Sequence, residues 1–342
     1  MSAVLSSSSG GVWGAAWRRL KTDRVGLAAM AVVIAFLVLV LLAATNLVAS
    51  GWQKEVGVPN AAPTLLGPQP PEDTGTIAQP KGPNVDLSDI DPLAPRYAEW
   101  AERAKAFKTE DVTRAETLPL GGDRLGRDVL SKVVKGAEVS IFVGLAAALA
   151  ATLIGTVLGA LSGFFGGKVG DALEWVYNVF TAIPTILLIF AFAAVVHRGV
   201  GSVVLILALT GWTGIYRLIR AEFIKHRVRE YVRSAEAIGA SQWSRMFKHI
   251  LPNVSHVALV QLSLHVVSFI KSEVILSYLG LGVGVDQVSW GTMLSEAQNE
   301  LILGYWWQLV AVSVFMAVFV TAFALFTDAL RDALDPKLRG LE

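Results

Sequence analysis

Four polar side chains recur in step inside one apolar run: Gln261, His265, Ser268 and Ser272, at spacings of four, three and four. At about 100° per residue they form one stripe along a helix. Lys271 and Glu273 flank it; being two apart, they point to different sides and cannot pair well on their own helix. A charge at the centre of a bilayer costs on the order of 3 kcal/mol on insertion scales. Both charges lie toward the outer end of the run, where snorkelling lowers that cost. Two readings of the stripe stay open. It can line a water-filled path, with Glu273 near an outer gate, or it can supply hydrogen bonds between packed helices.

The sequence offers little else that could do chemistry. LPLGGDRLGRDVLSK, residues 118–132, has glycines suggestive of a phosphate loop at Gly121 and Gly126. Arg127 and Asp128, however, stand where that loop needs a lysine and a hydroxyl residue. GFFGGKV, residues 163–169, ends in Val169 and fails for the same reason. There is no His-Glu-x-x-His and no Gly-x-Ser-x-Gly, and the 5 histidines are scattered. With 0 cysteines, disulfides, thiolate metal sites and cysteine nucleophiles are excluded. The chain therefore reads as a non-enzyme with no metal and no directly bound cofactor.

The elements that must carry these residues are membrane spans. Of 342 residues 54% are hydrophobic and only 17% charged, and the apolar residues fall in long blocks. The net charge of +1 gives no sign of a nucleic-acid partner. Crossing a bilayer core of about 30 Å takes about 20 apolar residues. Six stretches meet this: Val25–Val48, then about Val139–Phe165, Ala172–Val196, Ser202–Ile219, Val254–Leu279 and Trp307–Leu330. The first is longer than a signal-peptide core of about 7–15 residues. The expected organisation is a tail over 1–24, a first span within 25–49, an outer segment over 50–138, a core of five spans over 139–330 and a tail over 331–342.

Basic residues orient the spans. They cluster before the first (Arg18, Arg19, Lys21, Arg24), between the fourth and fifth (Arg217 to Lys248) and after the last (Arg331, Lys337, Arg339), whereas Gly280 to Trp306 has none. Both termini are thus expected in the cytoplasm. Tyr305, Trp306 and Trp307 fit an outer aromatic belt. Within the spans, Gly155, Gly159 and Gly163 give one helix face flat enough for a neighbouring backbone to approach, and Pro184 predicts a kink in the third span. The outer segment is rich in proline and glycine, as in PQPPEDTG and QPKGPN, with a short polar helix expected over Tyr97–Lys108. It reads either as a solvated connector or as a binding surface.

Residues 220–253 are basic yet carry apolar residues at helical spacing: Tyr231, Ala235 and Ile238, then Trp243, Phe247 and Ile250. Gly239 interrupts the pattern and Pro252 is expected to end it. This predicts two short amphipathic helices meeting at a glycine, lying on anionic lipid or docked on a partner.

AEAIGASQWSRMFKHILPN, residues 235–253, resembles the cytoplasmic EAA loop of ABC-transporter permease subunits, whose signature is Glu-Ala-Ala, three residues, Gly, and a spacer ending in Leu-Pro. Here Arg233, Ser234 and Ala235 occupy the Glu-Ala-Ala places, so the glutamate is replaced. LGGDRLGRDVLSK, GFFGGKV, AIP at 182–184, LSYLGLGV at 276–283, SWG at 289–291 and DALRDALDP at 328–336 are similar to the C-type permease of dipeptide, oligopeptide and nickel importers. The likeness covers most of the chain from about residue 118. It implies an all-α membrane protein with six transmembrane helices, a type I importer permease fold and a cytoplasmic coupling helix. It also implies residence in the bacterial inner membrane and import of peptides or similar small solutes. The implied partners are a second, related permease, two cytoplasmic ATPase subunits that use ATP and Mg, an external solute-binding protein, and membrane lipid. The coupling residues implied are Tyr231, Arg233, Ala235, Gly239, Ala240, Trp243, Leu251 and Pro252. An ion-coupled secondary transporter is the rival; it needs its own ion site and internal repeats, and neither stands out.

Overall fold

A computed structural model describes residues 12–68, 91–106, 113–284 and 286–334. In chain order its elements are α1 (Val12–Thr22), α2 (Arg24–Ala44), β1 (Gly57–Pro63), α3 (Ala94–Ala106), β2 (Ala115–Leu118), α4 (Val129–Phe165), α5 (Gly167–Thr181), α6 (Thr185–Val195), α7 (Val200–Arg227), α8 (Glu230–Ala237), α9 (Gln242–Ser244), a π-helical turn over Arg245–Ile250, α10 (Leu251–Tyr278), α11 (Trp290–Ile302) and α12 (Trp307–Leu334). Most of PQPPEDTG, all of QPKGPN, and Lys108, Lys337 and Arg339 lie outside the described residues.

Two compact units form: Lys54–Asp128, and the rest of the chain on either side of it. In the smaller one, β1 and β2 pair in parallel, with Ala62 beside Thr117. Two strands alone are marginal, and Asp123 ties down the turn that follows them. Its fully buried carboxylate accepts the N–H groups of Leu125 and Arg127, each at 2.9 Å, and Arg127 Nε at 2.6 Å. The GGDRLGR stretch that mimics a phosphate loop is therefore a turn wrapped around its own anion. Gly126 is required there: its φ is +76° and a Cβ would sit 2.0 Å from the Gly57 carbonyl oxygen. α3 is polar, with Glu99 and Arg103 paired one turn apart at 2.7 Å.

The larger unit is helical. Among the described residues, five helical runs are long and apolar enough to cross a membrane: α2, α4, α7, the continuous run Gln242–Tyr278, and α12. α5 and α6 make a sixth only if they count as one span, because they meet at 85°. A single kinked helix over Ala172–Val196 is thus replaced by two. Pro184 has no N–H to give, and with φ −53° and ψ 127° it leaves the helical region itself, so α5 ends before it and α6 starts afresh at Thr185. α4 begins at Val129, before the expected Val139, and the stretch Gly280 to Trp306 is not a plain loop but holds α11. Trp290 anchors α11: fully buried, it donates Nε1–H to the Val133 carbonyl and its backbone N–H to Ser140 Oγ, each at 3.1 Å.

α4 and α7 make the most intimate contact in the bundle. A Cβ placed on Gly155, Gly159 or Gly163 would lie 2.6, 2.7 and 2.6 Å from the carbonyl oxygens of Trp212, Tyr216 and Arg220. The glycine face expected from the sequence is therefore pressed onto backbone. Backbone cannot swing aside as a side chain can, so overpacking here forces the helices apart, at about 1–3 kcal/mol or more. Gly159→Leu is expected to lower the thermal unfolding midpoint in detergent by several degrees, whereas Gly201→Leu, where a Cβ meets nothing within 4 Å, leaves it within a degree or so, as about 0.5 kcal/mol would.

Candidate functional site

The elbow between α7 and α10 is built around one cap. α8 ends with the Ala240 N–H bonded to the Ala235 carbonyl and the Gly239 N–H bonded to that of Glu236, both at 2.9 Å. This six-to-one and five-to-two pair is the Schellman arrangement, which needs a left-handed residue after the helix. Gly239 provides it with φ +87°, and a Cβ there would meet nothing within 4 Å. The glycine is thus required by the turn and not by crowding. Ser241 then caps the next helix, its Oγ accepting the Ser244 N–H. Arg245 and Glu236 close the elbow with an ion pair of 2.5 Å, and the Arg245 guanidinium lies over the Phe164 ring.

The second arm differs from expectation. Pro252 does not end it: the π turn runs straight into α10, with the Leu251 N–H reaching back five residues to Met246. Pro252 has no N–H to add to this ladder, and the wider π turn before it makes room for its ring. The second short helix is therefore the foot of the fifth span.

The face that packs also differs. Val232 and Ala235 of α8 are buried, as are Met246 and Ile250 of the π turn. Val232, Met246 and Ile250 join one cluster with Ala160 and Phe164 of α4, Ile215, Ile219 and Phe223 of α7, and Val254 of α10. Tyr231, Trp243 and Phe247 lie outside it, and Ile238, at the tip, is 85% exposed. Trp243 and Phe247 stack almost parallel, with ring centres 5.8 Å apart. Tyr231 bonds His226 Nδ1 at 2.8 Å. Arg233 and Pro252 are exposed, and Ala240 and Leu251 half-buried. An apolar tip flanked by exposed Arg229, Arg233 and Lys248 is the pattern of a protein-docking surface. Charge at each position was visible in the sequence; the choice of Val232 over Tyr231 was not, because both are apolar, point about 100° apart, and the helices that select one of them are distant in the chain.

Along α10, Gln261, His265 and Ser272 are half-buried and Ser268 is exposed. His265 Nδ1 lies 2.8 Å from the Gln261 carbonyl and Ser272 Oγ donates to that of Ser268 at 3.1 Å. These polar groups thus bond within their own helix, and the stripe stays on an accessible face. Glu273 leaves this set. It is fully buried, accepting from Ser277 Oγ at 2.6 Å with the Ser140 and Ser289 hydroxyls beside the same carboxyl. The reason is geometric: Glu273 lies two turns from Val266 on the face shared with Ile270 and Ser277, all of them buried. A second buried cluster went unrecognised. Lys132, fully buried, donates to Glu296 of α11 at 2.6 Å and to Gln308 of α12 at 3.3 Å. A third ties α5 to its neighbours. The Tyr216 hydroxyl and Arg220 Nε reach Ser162 Oγ at 2.9 and 3.0 Å, and Arg220 pairs with Glu174 at 3.2 Å. Partners 46 to 176 residues apart leave no local spacing to read.

The family model described as "Binding-protein-dependent transport system inner membrane component" matches residues 155–340. The oligopeptide transport system permease protein OppC of Bacillus subtilis (strain 168) is 36% identical over 238 residues, covering 68% of this chain and 78% of that protein. The dipeptide transport system permease protein DppC of Lactococcus lactis subsp. cremoris (strain MG1363) is 29% identical over 322 residues, 94% of this chain and 90% of that one. The glutathione transport system permease protein GsiD of Pectobacterium atrosepticum is 36% identical over 251 residues, 70% and 82%. Among solved structures, a chain of the MetNI methionine ABC transporter in an inward-facing conformation aligns with a TM-score of 0.48 at 15% identity, over 60% of this chain and 97% of that one.

Lys132 gives a direct test of the buried pairing. Lys132→Met removes the ammonium that Glu296 accepts from, Glu296 itself being 31% exposed, and is expected to cost about 1–3 kcal/mol, whereas Lys132→Met combined with Glu296→Leu regains most of it. Thermal unfolding of the two variants in detergent measures the difference.

Proposed function

Because the chain belongs to the family of binding-protein-dependent transport system inner membrane components, we propose that it carries peptides or similar small solutes across the inner membrane, paired with a second, related permease subunit. It is a multi-pass inner-membrane permease subunit of an ATP-driven importer, and such permeases work with an ATPase and a solute-binding protein. The peptide class rests on the relatives, which are named for oligopeptide, dipeptide and glutathione transport. Solute selection falls mainly to the binding protein.

One observation carries the mechanism: an exposed apolar tip mounted on a buried wedge. In this reading the tip, with Ile238, Gly239, Trp243 and the neighbouring Tyr231 and Arg233, seats in an ATPase subunit on the cytoplasmic side, where both termini also lie. Two such ATPases bind and hydrolyse ATP with Mg. Their closure pushes the elbow. Ala235 is buried in α8, and Val232, Met246 and Ile250 are packed against α4 and α7, so the push reaches those helices as a rigid displacement, because packed cores shift between discrete arrangements and do not flow. Ala240 braces the turn, and Leu251 and Pro252 pass the movement into α10. The bundle thereby changes between inward-open and outward-open states by differential contact with the ATPase. Gln261, His265, Ser268 and Ser272 line the path, offering water and peptide amides a polar surface in an apolar bundle.

Gly239→Val tests the lever. The β-branched residue opposes the left-handed turn by about 1–2 kcal/mol but clashes with nothing. Membrane insertion is expected to persist while binding-protein-dependent uptake falls at least about tenfold, the factor that 1.4 kcal/mol represents. Uptake at the unmodified rate rejects the docking role. The path is tested separately, with single cysteines at 261, 265, 268 and 272. Labelling by a membrane-impermeant thiol reagent is expected to change with nucleotide state, and protection of all four in every state removes them from the path.

A further inference from the structure

α2 and α12 run antiparallel. Gly26 lies against Ala329 at one end, and Phe36 lies against Phe315 and Phe319 further along. Between these contacts the two helices part over a groove of about 470 Å³. Its floor is small, with the buried Ala29 and Ala322, and Ala28 and Ala317 stand at its opening beside aliphatic walls of Val25, Val32, Val318 and Leu325. Thr321 is its polar contributor. Val25 to Val32 is about 10 Å of helix, so the groove is a slot two turns long.

The mouth of this slot is cationic. Arg24 directly precedes Val25, and Arg18, Lys21 and Arg24 are all exposed. Counting residues 18–24 and 328–332, there are five cations (Arg18, Arg19, Lys21, Arg24, Arg331) against three carboxylates (Asp23, Asp328, Asp332), a balance of +2. Asp23 is already engaged, taking the Val25 N–H at 2.9 Å. Lys21 Nζ lies 5.2 Å from the centre of the exposed Trp17 ring. An exposed tryptophan beside lysine and arginine is typical of headgroup depth. The slot starts one turn deeper, on helices that qualify as spans, where its surroundings are hydrocarbon.

We propose that this slot is a binding site for one anionic phospholipid, an acyl chain lying between α2 and α12 and the phosphate held by Arg18, Lys21 and Arg24. Small residues make the concavity, and cations at its mouth choose the headgroup. An aliphatic slot alone accepts any chain, whereas each basic residue near the surface favours an anionic lipid. The site sits apart from the elbow and from the polar stripe of α10, so it stands or falls independently of the transport mechanism.

The test uses the full chain in its assembled transporter, purified in detergent and examined by native mass spectrometry with phosphatidylglycerol or phosphatidylcholine of matched chains. One phosphatidylglycerol per copy is expected to be retained at least about tenfold more tightly than phosphatidylcholine. The surface variant Arg18→Gln/Lys21→Gln/Arg24→Gln is expected to erase that preference, and Ala317→Phe, which fills the slot, to erase retention of both lipids. Thermal midpoints confirm that each variant is folded, and the surface variant alone suffices if Ala317→Phe is not. Equal retention of the two lipids by the unmodified chain overturns the proposal, as does a preference untouched by the surface variant. A photo-crosslinker at position 317 that captures a neighbouring subunit in place of lipid overturns it too, since the slot is then a subunit interface.

Discussion

Three glycines on α4 let its backbone meet that of α7, and the mechanical properties of the bundle follow from that contact. Two helices held by interdigitated side chains can slide as rotamers change. Two helices with carbonyl oxygens where a Cβ would stand cannot, because no flexible group lies between them. In hydrocarbon the hydrophobic effect gives no preference for helix–helix over helix–lipid contact, so close packing of this kind is what association has to rest on. α4 and α7 therefore act as one rigid post. At the end of that post, Phe164 and Ala160 from one helix and Ile215, Ile219 and Phe223 from the other form the socket that receives Val232, Met246 and Ile250.

The socket explains why the elbow is divided as it is. Its inner face is spent on packing and leaves little for a partner. Its outer face carries Ile238, Trp243 and Phe247 in the open, a cost that an isolated chain has no reason to bear. The Schellman turn at Gly239 joins the two faces in four residues, without a loose loop to absorb force. The unbroken passage from the π turn into α10 serves the same end. A hinge at Pro252 would isolate the elbow from the fifth span, whereas a π turn keeps the two in register. On the proposed mechanism, one push thus has two outputs, the α4–α7 post and α10 with its polar stripe.

What the sequence revealed depended on how local each signal was. Gly155, Gly159 and Gly163 announce their role because a four-residue spacing of the one residue lacking Cβ has a single geometric meaning. Gly239 is legible because helical spacing stops there and resumes. Hydropathy located α2, α4, α7, α10 and α12, since chain length against bilayer thickness is a property of the segment alone. Between Ala172 and Val196 hydropathy saw one apolar block, for it weighs side chains and not direction; Pro184 announced a kink there, but not that it would reach 85° and divide the helix. Glu273 reads from the sequence as a charge flanking the stripe near an outer gate, because nothing local names the serines that bury it, Ser140 and Ser289. A helix turns about 100° per residue, enough to carry Glu273 onto the packed side. Lys132, Glu296 and Gln308 were invisible as a group, since their meeting depends on where α11 folds back.

Two of the buried polar clusters share one end of the bundle, and their placement constrains how it can move. Lys132 with Glu296 and Gln308, and Glu273 with Ser277, Ser140 and Ser289, gather where α4 begins, α10 ends and α11 sits between them. Such groups tolerate little separation, because parting a buried pair strands a charge in a medium that cannot solvate it. That end of the bundle is therefore fixed by electrostatics. The opposite end, where the elbow packs, is held by aliphatic and aromatic packing together with polar links through Ser162, Tyr216, Arg220 and Glu174, and the Arg220 and Glu174 charges there keep contact with water. On the proposed mechanism, helices pinned at one end and pushed at the other pivot and do not translate. A pivot turns a small displacement of the elbow into an angular change along α10, where the face carrying Gln261, His265, Ser268 and Ser272 lies between the push and the pin.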